Sequence, residues 1–326
     1  MDKALGKKNF MAMLLLQRTS LSRFHFAPPP RSSIGRSRFK AFAAAGTNVK
    51  KADKLELACP VCRKSFKNDD QPKNFPRFVC DCCKKSYTST SSGIIDLTIS
   101  PTTVAPLGAS FFQNPLLAFA YDRGYRDLFW IWNFPGYDQE FRMAQKLIEP
   151  VARGETIMDL SCAGGCFTRR FLASKSYKRV IAADYSQEML EQCRGFLESD
   201  SFLDTSEFVL LRADAGRLPL ANSSVAAVHS GAAIHCWPEP IIAVAEISRV
   251  LRPQGLFVGS TFVFPEPPPP IDGIINPVRE AIMQLQVPFK AWTQKELQQL
   301  VEASGLIDWK SQTSGRYILF SATKPA

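Results

Sequence analysis

From residue 156 onward the chain alternates short, nearly continuous apolar runs with stretches of helical periodicity. Runs at 156–160, 179–183, 207–213, 225–230, 255–264 and 317–323 predict strands. Between them, apolar residues recurring every three to four positions predict helices over 166–174, 187–198, 240–251 and 293–304. Ser186 and Thr293 stand where N-caps belong, and Gly305 where the last helix should end. Apolar strands separated by helices imply an α/β fold with a doubly wound, mostly parallel sheet over residues 151–326.

Upstream, 116–148 is helical and aromatic, and Phe134-Pro135-Gly136 divides it into two helices, so residues 101–150 read as a helical linker capping the substrate side. After the fifth strand an insert, 265–291, opens with Pro265-Glu266-Pro267-Pro268-Pro269-Pro270. It leaves from a strand's carboxyl end, where open α/β sheets place ligands. Its apolar residues fit either a lid over an apolar substrate or a helix packed on the core.

Charge changes the picture less than the total suggests. Of the formal net charge of +10, residues 1–45 carry +8, from nine Lys/Arg against Asp2, so the body holds only the remaining +2. This Arg- and Ser-rich leader, with no acid between Asp2 and Asp53, is expected to be an organelle transit peptide, chloroplast or mitochondrial. A basic tail that stays attached is the alternative. No apolar run approaches the roughly 18 residues of a membrane span.

Cysteine spacing points to a metal. Cys59-Pro60-Val61-Cys62 and Cys80-Asp81-Cys82-Cys83 form two Cys-x-x-Cys knuckles with 17 residues between them. Four thiolates from Cys59, Cys62, Cys80 and Cys83 suit tetrahedral structural Zn²⁺, making 46–100 a zinc ribbon. A redox pair is the competing chemistry. The polar, Lys-rich stretch between the knuckles has few apolar anchors, so a metal is expected to supply folding energy.

The first predicted strand leads into Asp159-Leu160-Ser161-Cys162-Ala163-Gly164-Gly165, and the second ends in Asp184. A small-residue turn followed by a distal carboxylate marks a nucleotide-binding βαβ unit. The absence of Lys followed by Ser or Thr excludes a triphosphate P-loop. Asp-x-Ser-x-Ala-x-Gly resembles the Asp/Glu-x-Gly-x-Gly-x-Gly loop of class I S-adenosylmethionine (AdoMet) methyltransferases. The resemblance implies a Rossmann-like, mostly parallel seven-stranded sheet. It also implies cofactor contacts from Asp159, Ser161, Ala163 and Gly165, ribose binding by Asp184, an adenine cover from Tyr185, adenine recognition by Asp214 and the Ala215 amide, and a contact at Ser230. Ser161 is expected to serve wherever the turn needs only a small residue. Ala163 is expected to cost about 1 kcal/mol if its position needs positive φ. Ala226 replaces a usual structural acid.

Over 156–264 the motifs Ala183-Asp184-Tyr185-Ser186, Ala213-Asp214-Ala215-Gly216-Arg217-Leu218-Pro219 and Glu246-Ile247-Ser248-Arg249 resemble ubiquinone/menaquinone C-methyltransferases. Over nearly the whole chain, Tyr121-Asp122-Arg123-Gly124-Tyr125-Arg126 and Gly231-Ala232-Ala233-Ile234-His235-Cys236-Trp237 are similar to plant methyltransferases of chloroplast plastoglobules. That resemblance implies a chloroplast enzyme.

His235, just beyond the fourth strand, is the candidate base for an acidic acceptor, with a hydrogen-bonded structural histidine as the other reading. Cys162, Cys166 and Cys236 read as packing residues. Three functions stay open. The first is a methyltransferase for a small apolar, quinone- or prenyl-lipid-like acceptor, peripherally associated with plastid lipid bodies. The second is an RNA methyltransferase gripping phosphates with Lys64, Lys67, Lys73, Lys84 and Lys85. The third is a degenerate AdoMet-binding scaffold.

Overall fold

A computed structural model describes residues 55–66, 77–90, 92–99, 126–266, 290 and 292–326, with the side chains of 126–128 left out. Residues 1–45, the part of the first predicted aromatic helix before residue 126, and nearly all of the proline-led insert lie outside the described residues.

Among the described residues eleven strands join in one mixed sheet: β1 (Arg77–Val79), β2 (Ser86–Ser89), β3 (Ile95–Asp96), β4 (Thr156–Leu160), β5 (Arg179–Asp184), β6 (Phe208–Arg212), β7 (Val225–Gly231), β8 (Leu251–Phe264), β9 (Trp292–Thr293), β10 (Ile307–Ser314) and β11 (Tyr317–Thr323). Their order is β1-β2-β3-β6-β5-β4-β7-β8-β11-β10, with β9 beside β8. The whole sheet is wider than the seven strands expected, and β4–β8, β10 and β11 make up its main path within residues 151–326. The cysteine-bearing segment adds three strands to one edge because β3 pairs parallel to β6, and β9 pairs parallel to β8. The middle of the sheet is parallel, and its β8–β11–β10 end is antiparallel.

Side-chain alternation explains the layering. Ile157, Val180 and Ala182 point to one face, while Met158, Leu160, Ile181 and Ala183 point to the other. The first face is covered by α1 (Tyr137–Ala152), α2 (Cys166–Ser174) and α3 (Gln187–Ser199), through Ile148, Phe171, Leu190 and Leu197. The second is covered by α4 (Pro240–Val250) and α5 (Gln294–Ala303), through Val244, Ile247, Leu297 and Val301. Each such fully buried Leu, Ile or Phe contributes roughly 1.5–3 kcal/mol. Local signals fix the helix starts. Ser186 accepts from Met189 N, Pro240 opens α4, and Thr293 and Glu296 form a reciprocal capping box.

The cysteine segment shares this core. Phe66, Phe78 and Tyr87 are buried in the same cluster as Met158 and Leu211, so the segment's few anchors are supplemented by the sheet itself. Strand β10 escaped the sequence reading because Ile-Asp-Trp-Lys-Ser-Gln-Thr-Ser is almost wholly exposed and shows no apolar run. It is held by its ladder with β11. No described helix is long and apolar enough to cross a membrane.

β4 pairs with β5 on one side and β7 on the other, so chain order reverses there. A parallel sheet opens a crevice at the carboxyl ends of such strands.

Candidate functional site

A cleft of about 600 Å³ occupies this switch point. Its floor and sides come from the loops after β4, β5, β6 and β7, from the start of α4, and from residues of the first cysteine knuckle. The volume is that of a small-molecule site.

The loop after β4 has an unusual backbone. Ser161 (φ 58°), Ala163 (φ 47°) and Gly165 (φ 80°) all lie in the left-handed region. The turn therefore needs more at Ser161 than a small residue, which corrects the expectation for that position. What favours serine is its hydroxyl, which accepts from Trp237 Nε1 at 3.0 Å and ties the β4 loop to the β7 loop. Such a bond contributes about 1 kcal/mol, comparable to the strain of an L-residue in this conformation. Ala163 is strained as anticipated, and its amide donates to Asp184 Oδ2 at 2.9 Å.

Asp184 ends β5, facing the cleft, and its other oxygen accepts from Ser186 N at 2.9 Å. Burial holds its carboxyl above the usual carboxylate range, even though backbone amides of Ser186, Ala163 and Tyr185 stabilise the ionised form. Tyr185 follows it into the lining, and the Arg212 guanidinium sits 5.9 Å from its ring centre. Asp214 and Ala215 line the cleft after β6, and Asp214 Oδ1 accepts from Gly216 N at 2.8 Å.

Ser161, Ala163, Asp184, Tyr185, Asp214 and Ala215 all line the cleft, while Asp159, Gly165, Ser230 and His235 stand outside the lining. Asp159 is buried behind the loop, accepting from Thr168 Oγ1 at 2.6 Å and pairing with His229 Nδ1 at 2.8 Å. It braces α2 and β7. Gly165 begins α2, where a Cβ would come within 2.4 Å of Cys193 Sγ, so the glycine serves close packing of α2 on α3. Ser230 is buried within β7. His235 is buried with Nδ1 2.9 Å from Thr261 Oγ1 and its ring against Phe262. Ala226 is buried in β7, away from the lining. Burial also raises the Cys162 and Cys236 thiols, so neither is a ready thiolate nucleophile.

Sequence reasoning missed Trp237, which lies in a quoted motif, and Val61 and Arg63, which approach the cleft from a segment about 100 residues upstream of its first loop. Nothing local in the sequence signals that approach.

The sulfur atoms of Cys59, Cys62, Cys80 and Cys83 lie within 4.8 Å of one another. Pairs as close as 3.3 Å (Cys62–Cys80) and 3.5 Å (Cys59–Cys83) are near the roughly 3.8 Å edge of a tetrahedron with metal–sulfur bonds of about 2.3 Å. The knuckles repeat one hydrogen-bond pattern: Arg63 N donates to Cys59 O and Lys84 N to Cys80 O, both at 2.8 Å, with Arg63 and Lys84 left-handed. Cys82 is exposed and outside the cluster. Burial raises the Cys59 thiol, but hydrogen bonds from Tyr87 and from backbone amides outweigh it and bring it down to about 7. The amide of Lys85 favours the Cys83 thiolate, but burial and the neighbouring cysteines push that thiol up to about 12. An all-thiol donor set of this size suits zinc and no hard cation.

Comparison with known proteins agrees with this geometry. The family described as "Methyltransferase domain" matches residues 158–259. An uncharacterized chloroplastic methyltransferase of Arabidopsis thaliana is 40% identical over 290 residues, covering 85% of this chain and 81% of that protein. A second from the same plant is 37% identical over 318 residues, covering 90% and 88%. The demethylmenaquinone methyltransferase of Clavibacter sepedonicus is 32% identical over 209 residues, 59% of this chain and 82% of that protein. Among solved structures, the Haemonchus contortus phosphoethanolamine N-methyltransferase 2 bound to AdoMet shares the fold at 15% identity, with a TM-score of 0.51, covering 69% of this chain and 61% of that one. The loop after β4, the carboxylate ending β5 and the similarity along most of the chain lead to one conclusion: this protein belongs to the family of these plant chloroplastic methyltransferases and is an AdoMet-dependent methyltransferase.

Proposed function

We propose that the protein methylates a small, apolar acceptor of the quinone or prenyl-lipid class inside the chloroplast, and that it works at the surface of plastid lipid bodies such as plastoglobules. The observation carrying this reading is the cleft at the β4/β7 switch point, where Ala232, Ala233, Trp237 and Ile242 form an apolar side. The chloroplastic Arabidopsis relatives and the demethylmenaquinone methyltransferase support it. In this reading residues 1–45 are the transit peptide.

AdoMet supplies an activated methyl group, so the chain's task is to bind and orient. We assign Asp184 to the ribose hydroxyls, Asp214 and the Ala215 amide to adenine, Tyr185 to the adenine face, and the strained 161–165 turn to the amino-acid tail. Asp159, Gly165 and Ser230 act indirectly, by holding that turn and β7 in place. His235 is the proposed base for a phenolic acceptor, being next in sequence to the cleft-lining Cys236. The four cysteines hold a structural Zn²⁺.

Exposed Arg63, Lys64, Lys84 and Lys85 on the cysteine module favour RNA as the competing acceptor. A methyl-transfer assay with labelled AdoMet on plastid extract, divided into lipid and RNA fractions, separates the two. Label is expected in the lipid fraction, with His235→Gln lowering the rate of transfer while leaving AdoMet affinity unchanged. Label in RNA alone overturns the acceptor assignment, and an unchanged rate in His235→Gln removes His235 as the base.

A further inference from the structure

One wall of the cleft comes from the cysteine module and not from the sheet's own loops. Pro60, Val61 and Arg63 line it together with Tyr185, Asp214, Ala215 and Gly216. Pro60 and Val61 are the two residues between Cys59 and Cys62, and both cysteines belong to the four-sulfur cluster. Whatever fixes those two sulfurs therefore fixes this wall. Val61 keeps 40% of its surface exposed, so it presents an uncovered apolar side chain at the cleft.

Two sets of contacts bind the module to the β5 and β6 loops. On the first side, Ala58 N donates to Pro219 O at 2.9 Å and Ala221 N to Glu56 O at 3.0 Å. Arg63 Nη2 pairs at 2.8 Å with the buried Glu246, whose other oxygen accepts from Leu218 N at 3.0 Å and from Arg249 at 2.8 Å. The 213–221 loop, which carries Asp214 and Ala215, is thereby laced to the knuckle. On the second side, Asp96 at the end of β3 pairs with Arg212 at 3.0 Å, and Arg212 Nε donates to the Tyr185 carbonyl at 3.1 Å. Both sides of the site assigned to adenine thus lean on the module.

We propose, resting on the AdoMet assignment of this cleft, that the first cysteine knuckle is part of the cofactor site. Pro60 and Val61 pack against the adenine, and Arg63 positions the adenine-reading loop through Glu246. Metal occupancy of the cysteine cluster and AdoMet affinity are then linked, and the linkage is reciprocal: zinc strengthens AdoMet binding by the factor by which AdoMet strengthens zinc binding. The linkage acts on adenosine and not on the sulfonium, so S-adenosylhomocysteine shows it equally.

The test is calorimetric titration of AdoMet and of S-adenosylhomocysteine into the zinc-loaded chain and into chain stripped by a chelator, with circular dichroism recording that the stripped chain stays folded. Zinc content is measured on every sample. Stripping is expected to weaken both ligands by about tenfold or more, within the usual range of coupling between sites. Val61→Gly and Arg63→Ala, which keep all four cysteines and their zinc, are expected to weaken both ligands several-fold, and they decide the matter should the stripped chain unfold. Equal affinity of loaded and stripped folded chain, or of these variants and the wild type, overturns the linkage. Failure of the loaded wild type to bind either ligand is a different result, one that removes the AdoMet assignment itself.

Discussion

Ser161 and Ala163 hold a left-handed backbone without being glycine, and the two positions differ in what offsets the strain. Ser161 has its hydrogen bond from Trp237, whereas Ala163 has no side-chain partner. Ala163→Gly should therefore raise unfolding free energy by about 0.5–1 kcal/mol, the relieved strain less the added freedom of the unfolded chain. Ser161→Gly should bring no gain, because about 1 kcal/mol of hydrogen bonding is lost with the hydroxyl. Urea unfolding of both variants measures this, and a destabilised Ala163→Gly would show that the turn is not strained there. Residue types at this loop were legible in the sequence because small residues stand out at fixed spacing. The sign of φ was raised only as a condition at Ala163 and not at all at Ser161, since serine and alanine ordinarily avoid it. Nor could the sequence separate Asp184, which faces the cleft, from Asp159, which is sealed behind it by Thr168 and His229.

Helix α2 starts at Gly165, where an added Cβ would meet Cys193 Sγ of α3. Gly165→Ala combines a forbidden backbone angle with a 2.4 Å clash and should cost more than about 2 kcal/mol. Adding Cys193→Ala removes the sulfur but not the φ penalty, and should restore part of the loss. Full additivity of the two substitutions in denaturant midpoints would mean that the contact is unimportant. At this scale, elements that bury an apolar face were readable. β4, α2 and β11 begin and end where the apolar pattern does. β10 and the two-residue β9 were not, because their strand character comes from partners elsewhere in the chain.

Across the whole molecule, residues 1–45 carry most of the basic charge, and the cysteine module is built into the same sheet as the rest of the described chain. The module therefore shares the core and the cleft, a relation that no local pattern could reveal. The account stands on the cleft being an AdoMet site governed by Asp184. Calorimetric titration of AdoMet into the folded, zinc-loaded chain and into Asp184→Asn tests it most directly. Wild type should bind with one-to-one stoichiometry. Asp184→Asn should bind at least about tenfold more weakly, the worth of hydrogen bonds to a charged acceptor. The ribose hydroxyls need the ionised carboxylate, and burial raises the pH at which Asp184 takes up its proton. Wild-type affinity should accordingly fall on acidification at a pH above the ordinary carboxylate range, and recover as pH rises. A folded wild-type chain that takes up no AdoMet, or an Asp184→Asn chain that binds as tightly as wild type, would contradict the account.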